Sequence, residues 1–119
     1  MEQLIRTANK AFIKEVLKNC LSPMQEIARQ SGYALAVHGS LARDIDLIAV
    51  PWVDEISEVE DMHEADFLIE RFRHYLEKCF GSACLTGETG IKPHGRQAYT
   101  IIVNGTNVWF DINVMPTTK

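Results

Sequence analysis

The sequence predicts an α+β domain: a small mixed or antiparallel sheet with helices packed against one face. Apolar residues recur at three- and four-residue spacing before residue 32 and again over 57–80, the period of an amphipathic helix. Short apolar or alternating runs bounded by Gly, Pro and Asn occupy 33–50 and 97–115, as strands do. Their order reads α-α-β-β-α-β-β, with an extra short strand near Ala83 to Thr86.

Over residues 2–20 the apolar positions Leu4, Ile5, Ala8, Phe12, Val16 and Cys20 make the first helix. Ser22-Pro23-Met24-Gln25 reads as the start of a second one. Ser22 suits the N-cap, Pro23 the first helical position and Gln25 the capping-box partner. Gly32 is a natural stop. Tyr33 to His38 is a short apolar strand, Gly39-Ser40 turns the chain, and Asp44 to Val50 is a second strand ended by Pro51.

From Ser57, a cap, to Phe80 the pattern is helical, with Val59, Met62, Ala65 or Asp66, Leu68, Ile69, Phe72, Leu76 and Cys79 as the buried stripe. Acidic residues crowd its first half, and Arg71, Arg73 and Lys78 its second, which complements the helix dipole. Gly81 ends it, and residues 81–96 read as an exposed loop. Residues 97–104 and 107–115 flank Asn104-Gly105, a strong hairpin signal. No repeat or linker divides the chain. It reads as one domain over 1–119, with N-terminal helices over 1–32 and a core over 33–116.

Apolar residues at 46% supply a sizeable core, and a net charge of −4 argues against a broad nucleic-acid-binding surface. Cys20, Cys79 and Cys84 are odd in number and lack a CxxC pair, so reduced thiols are expected rather than a disulfide framework or a zinc site. The N-terminal residues lack the apolar core of a signal peptide, and no run approaches the roughly 18 apolar residues of a membrane span. A soluble, cytoplasmic protein without a membrane partner is the expectation.

The chemistry concentrates in Val37-His38-Gly39-Ser40-Leu41-Ala42-Arg43-Asp44-Ile45-Asp46-Leu47-Ile48. Alternation in a strand points Asp44 and Asp46 to one side, where two like charges need a cation between them or water over both. In Val108-Trp109-Phe110-Asp111-Ile112-Asn113-Val114 the apolar residues share one face and Asp111 faces the other with Trp109 and Asn113. An aspartate inside a strand is disfavoured and asks for a reason. Two strands of one sheet can thus present Asp44, Asp46 and Asp111 on one surface. Three carboxylates suit Mg²⁺ or Mn²⁺, and a bridging pair serves two ions roughly 3.5–4 Å apart. The basic loop Lys92-Pro93-His94-Gly95-Arg96 precedes the hairpin that carries Asp111, so Lys92 and Arg96 are candidates to neutralise a triphosphate.

Each of these features also has a plain reading. The aspartates can be solvated strand residues, Gly39 a simple turn, Ser40 a local backbone partner, and Arg43, Lys92 and Arg96 surface charges. His38 reads as structural, the acids over 54–64 as a solvated helix face, and Trp52 and Trp109 as packing residues.

A Gly-Ser turn, an Asp-x-Asp running into apolar residues and a lone aspartate on a later strand together resemble the nucleotidyltransferase superfamily of DNA polymerase beta. That family includes poly(A) polymerases, CCA-adding enzymes, aminoglycoside nucleotidyltransferases and the minimal nucleotidyltransferases of bacteria. The resemblance covers roughly residues 33–115. It implies a nucleotidyltransferase-like fold, with Gly39 and Ser40 on the triphosphate, Asp44 and Asp46 on metal ions, and Asp111 as third ligand and base. The family's link between the two motifs is usually longer and often helical. Here only Leu41-Ala42-Arg43 intervene, too few for a helix N-terminus, and Arg43 would supply charge in its place.

The resemblance implies Mg²⁺- or Mn²⁺-dependent transfer of a nucleoside monophosphate from a nucleoside triphosphate to a hydroxyl acceptor. It further implies a separate helical protein partner, with a homo-oligomer as the alternative. Two competing functions are a catalytically inactive nucleotide- or partner-binding module of the same fold, and a metal-dependent nuclease or phosphohydrolase.

Overall fold

The computed structural model of the chain describes residues 2–39, 44–52, 64–86, 96–103 and 109–116. Two helices lie over a five-stranded mixed sheet. In chain order these are α1 (Glu2–Gln30), β1 (Tyr33–Val37), β2 (Ile45–Pro51), α2 (Glu64–Phe80), β3 (Ala83–Thr86), β4 (Gln97–Val103) and β5 (Trp109–Val114). Among the described residues no helix is long and apolar enough to cross a membrane.

α1 corrects the expectation of two N-terminal helices. It is one helix of 29 residues that runs through Pro23. An interior proline removes one backbone hydrogen bond and costs about 3 kcal/mol relative to alanine. The buried stripe Ile13, Val16, Cys20, Met24 and Ala28 continues without a break across that point. Each large apolar side chain it buries contributes about 1.5–3 kcal/mol, so packing outweighs the local signal at Ser22-Pro23. α1 closes where Ser31 and Gly32 donate backbone hydrogen bonds to Ala28 and Arg29, with Gly32 at φ +89°. Arg71 of α2 reaches over that end, donating to Ser31 Oγ and to Gln30 Oε1, each at 2.8 Å.

The strand order is β1-β2-β5-β4-β3, with β2 and β5 parallel and every other pair antiparallel. Alternation sorts the two faces. Tyr33, Leu35, Ile45, Leu47, Ala49, Tyr99, Ile101, Val103, Phe110, Ile112 and Val114 are buried on the face that meets the helices. α1 packs on β1, and α2 on β3 and β4. α2 contributes Ala65, Leu68, Ile69, Phe72 and Leu76, whereas Cys79, expected in that stripe, is exposed. Ala65 rather than Asp66 faces inward. Asp66 instead accepts a 2.7 Å hydrogen bond from the hydroxyl of Tyr99. The short strand expected at Ala83 to Thr86 is β3, and it pairs at the sheet edge with β4. Ser57, Val59, Met62 and the Asn104-Gly105 turn lie outside the described residues.

The opposite face carries Asp46, Ile48, Thr100, Ile102, Asp111 and Asn113, all partly exposed, together with the more open Val50 and Trp109. Asp46 and Asp111, both expected on this face, are found here, because the helices cover only the other side.

Candidate functional site

The parallel pair β2–β5 sets Asp46 directly opposite Asp111 in register. Register partners share a face, and neighbouring strands run about 4.8 Å apart. The two carboxylates therefore stand side by side in the middle of the open face. Placing them needs a parallel pairing of segments more than 60 residues apart in sequence, which strand parity alone does not specify.

Gly39 approaches Asp46 from the β1 side. The antiparallel β1–β2 pairing continues one step past Val37, where the His38 N–H donates to the Asp46 carbonyl at 2.9 Å. Gly39 follows with φ +82°, and a Cβ built on it would lie 2.6 Å from Asp46 Oδ2 and 3.4 Å from Asp46 Cβ. The positive φ therefore favours glycine here, and any Cβ would have to displace the tip of the Asp46 side chain. The turn that the sequence offers as a phosphate cradle thus begins in contact with the Asp46 carboxylate.

Burial first, and the charge of Asp111 second, push the Asp46 carboxyl above the ordinary carboxylate range, against a smaller opposing effect of His38. The two acids therefore sense each other. Asp111 is oriented from its other side. Thr100 faces it across the β4–β5 ladder and donates from Oγ1 to Asp111 Oδ1 at 2.9 Å. Sequence reading missed Thr100, although alternation over 97–103 already assigns it to the face of Asp111.

Asp44 is partly buried in the bend that precedes β2, ahead of the ladder that begins at Ile45. Strand parity does not govern it there. Among the described residues no group of three or more His, Cys, Asp or Glu side chains is arranged to hold a metal ion. Arg96 is partly buried just before β4. Since Gln97 pairs with Val114, Arg96 sits beyond that end of the sheet, roughly 13 Å along the strand from Asp111. Ser40, Arg43 and Lys92 lie outside the described residues.

Trp52 and Trp109 correct a second expectation. Neither is a packing residue: they are 59% and 44% exposed. Both sit at strand ends, where the helices leave the sheet uncovered.

Two adjacent carboxylates are a hard oxygen donor set. Mg²⁺ commonly takes one or two protein carboxylates, completing its shell with water and substrate phosphates. The Asp46–Asp111 pair fits that demand for one ion.

No protein-family profile and no curated protein matches this chain.

Proposed function

We propose that this chain is a nucleotidyltransferase-like protein that binds a nucleoside triphosphate over the open face of its sheet and passes the nucleoside monophosphate to a hydroxyl acceptor. The register pairing of Asp46 with Asp111 beside Gly39 carries this reading. It brings Gly39, one aspartate of the Asp-x-Asp and the later lone aspartate to one place.

In this reading Asp46 and Asp111 hold Mg²⁺ or Mn²⁺, with Asp44 reserved for a second ion. A bound cation would neutralise phosphate charge as it builds up at the reacting phosphorus. Gly39, lacking a side chain, admits the phosphates close to the backbone, and Ser40 and Arg43 follow it in the turn. Asp111 accepts the proton of the acceptor hydroxyl as that oxygen attacks the α-phosphorus and pyrophosphate departs. The hydroxyl of Thr100 fixes the Asp111 carboxylate for that task. Lys92 and Arg96 serve as outlying positive charge.

The position of Asp44 outside the β2 ladder favours a second reading, a nucleotide-binding module without turnover. Such a module needs the ligand pair of one ion and no more.

Calorimetric titration of the full chain with Mg²⁺ and each of the four nucleoside triphosphates tests both. Metal-dependent binding that Asp46→Asn and Asp111→Asn each abolish is expected. Binding indifferent to metal or to both substitutions would sink the assignment. Triphosphates labelled at the α-phosphate then separate the functions. Label retained on an acceptor with pyrophosphate release marks the transferase, label released to water marks a phosphohydrolase, and no turnover marks the module.

A further inference from the structure

We propose that Trp109, with Ile102 beside it, is the stacking floor for the base of the nucleotide whose phosphates engage the Asp46–Asp111 pair. The inference rests on the nucleotide reading of that pair and adds a place for the base and a substrate class.

Trp109 opens β5 two residues before Asp111, so both side chains leave the same face of the sheet, about 7 Å apart along the strand. Its register partner on β4 is Ile102, also on that face. The indole thus has an aliphatic side chain across the ladder and the Asp111 carboxylate next along its own strand face.

At 44% exposed, it is one of the largest apolar surfaces that the described residues leave open. A ribose separates a nucleotide's phosphate from its base by a span comparable to those two strand residues. A nucleotide anchored at the carboxylates and lying along β5 therefore brings its base over Trp109. An indole face stacks on any base, since each has a π-face, and its one polar group is a single N–H donor. This floor accordingly accepts all four common nucleoside triphosphates and grips purines more firmly than pyrimidines, because they cover more of the ring.

Trp52, although more exposed, lies just past the end of β2, six residues beyond Asp46 and roughly 20 Å away, and is excluded from the site. It provides the control. A Trp52→Phe chain keeps Trp109 as its single tryptophan. Adding each nucleoside triphosphate with Mg²⁺ should quench its fluorescence, saturating together with the calorimetric signal. Inorganic tripolyphosphate with Mg²⁺ should bind without quenching. Trp109→Ala should weaken nucleotide binding roughly tenfold or more and leave tripolyphosphate binding unchanged, and Trp109→Phe should recover most of the loss.

Nucleotides that bind without quenching, or no more tightly than tripolyphosphate, would overturn the stacking floor while the carboxylate site stands. Failure of both nucleotide and tripolyphosphate to bind would overturn the carboxylate reading and the stack with it. The quenching arm requires no change at position 109, so it decides the matter even if Trp109→Ala does not fold.

Discussion

Gly39 lies so close to the carboxylate of Asp46 that a methyl group on it would sit 2.6 Å from Asp46 Oδ2. The end of β1 and the start of β2 therefore meet at the acid that faces Asp111. Conformation, packing and charge are coupled at this one contact.

Gly39→Ala should be costly twice over. Holding alanine at φ +82° costs roughly 1–2 kcal/mol, and the new methyl must displace the Asp46 carboxylate. A urea-unfolding double-mutant cycle with Asp46→Ala measures the second part. The cost of Gly39→Ala should shrink in the Asp46→Ala background. Equal costs in both backgrounds would show that the contact carries no energy.

Asp46 should make the metal-free protein less stable as pH rises. Its carboxyl titrates above the ordinary value of 3.8, so the folded state binds this proton more tightly than the unfolded chain. Below about pH 3 both states hold the proton, and the group has no effect on stability. Through the window above 3.8 the unfolded chain ionises first, and stability falls until the folded carboxyl has also ionised. Asp46→Asn should therefore be more stable than the parent at pH 7 without metal and equal to it near pH 3, measured by urea unfolding at both. A parent that is the more stable at pH 7 would contradict this.

Mg²⁺ should reverse that ranking. An ion that binds only the folded state stabilises it by about 2.7 kcal/mol at a hundred times its Kd. Thermal unfolding should show a Mg²⁺-dependent rise in Tm for the parent and none for Asp46→Asn or Asp111→Asn. The same rise in all three would place the ion elsewhere.

Thr100→Val should weaken the ion's site more than the fold. It removes the 2.9 Å hydrogen bond to Asp111 Oδ1 but keeps a β-branched side chain of similar size on β4. The loss should be about 1–2 kcal/mol in unfolding free energy. The weakening of Mg²⁺ binding should exceed that of Thr86→Val, whose register partner is Thr100 and which leaves the Asp111 hydrogen bond intact. Identical Mg²⁺ affinities for the two variants would leave Thr100 with no orienting role.

Pro23→Ala should stabilise the protein. An interior proline is about 3 kcal/mol worse than alanine in a helix. Losing its restriction of the unfolded chain returns up to about 1 kcal/mol. Pro23 is exposed, so no core packing is lost. A net gain of about 1–2 kcal/mol in urea unfolding with an unchanged m-value is expected, and a loss would mean that α1 needs its proline.

Alternation alone places Asp46, Asp111 and Trp109 on the side of the sheet away from the buried apolar residues, because a strand's period is fixed by its backbone. The same logic locates β1, β2, β4 and β5 within a residue or two, and the end of α2 at Phe80. It fails at Pro23, where a local helix-start signal competes with a continuous apolar stripe that becomes visible only when α1 lies on the sheet. It also fails for Cys79, which falls on the apolar stripe of α2 yet is exposed.

What the sequence by itself determined is the α+β class, the strand faces and the identity of the acids, all of which follow from local periodicity and side-chain chemistry. Only the tertiary structure decided which acids meet. The parallel β2–β5 pairing aligns Asp46 with Asp111, and the Thr100 hydroxyl and the bare backbone of Gly39 complete that neighbourhood. The reason is physical: register between strands far apart in sequence is set by burying Ile45, Leu47, Phe110 and Ile112 together under the helices, a constraint that no single segment contains.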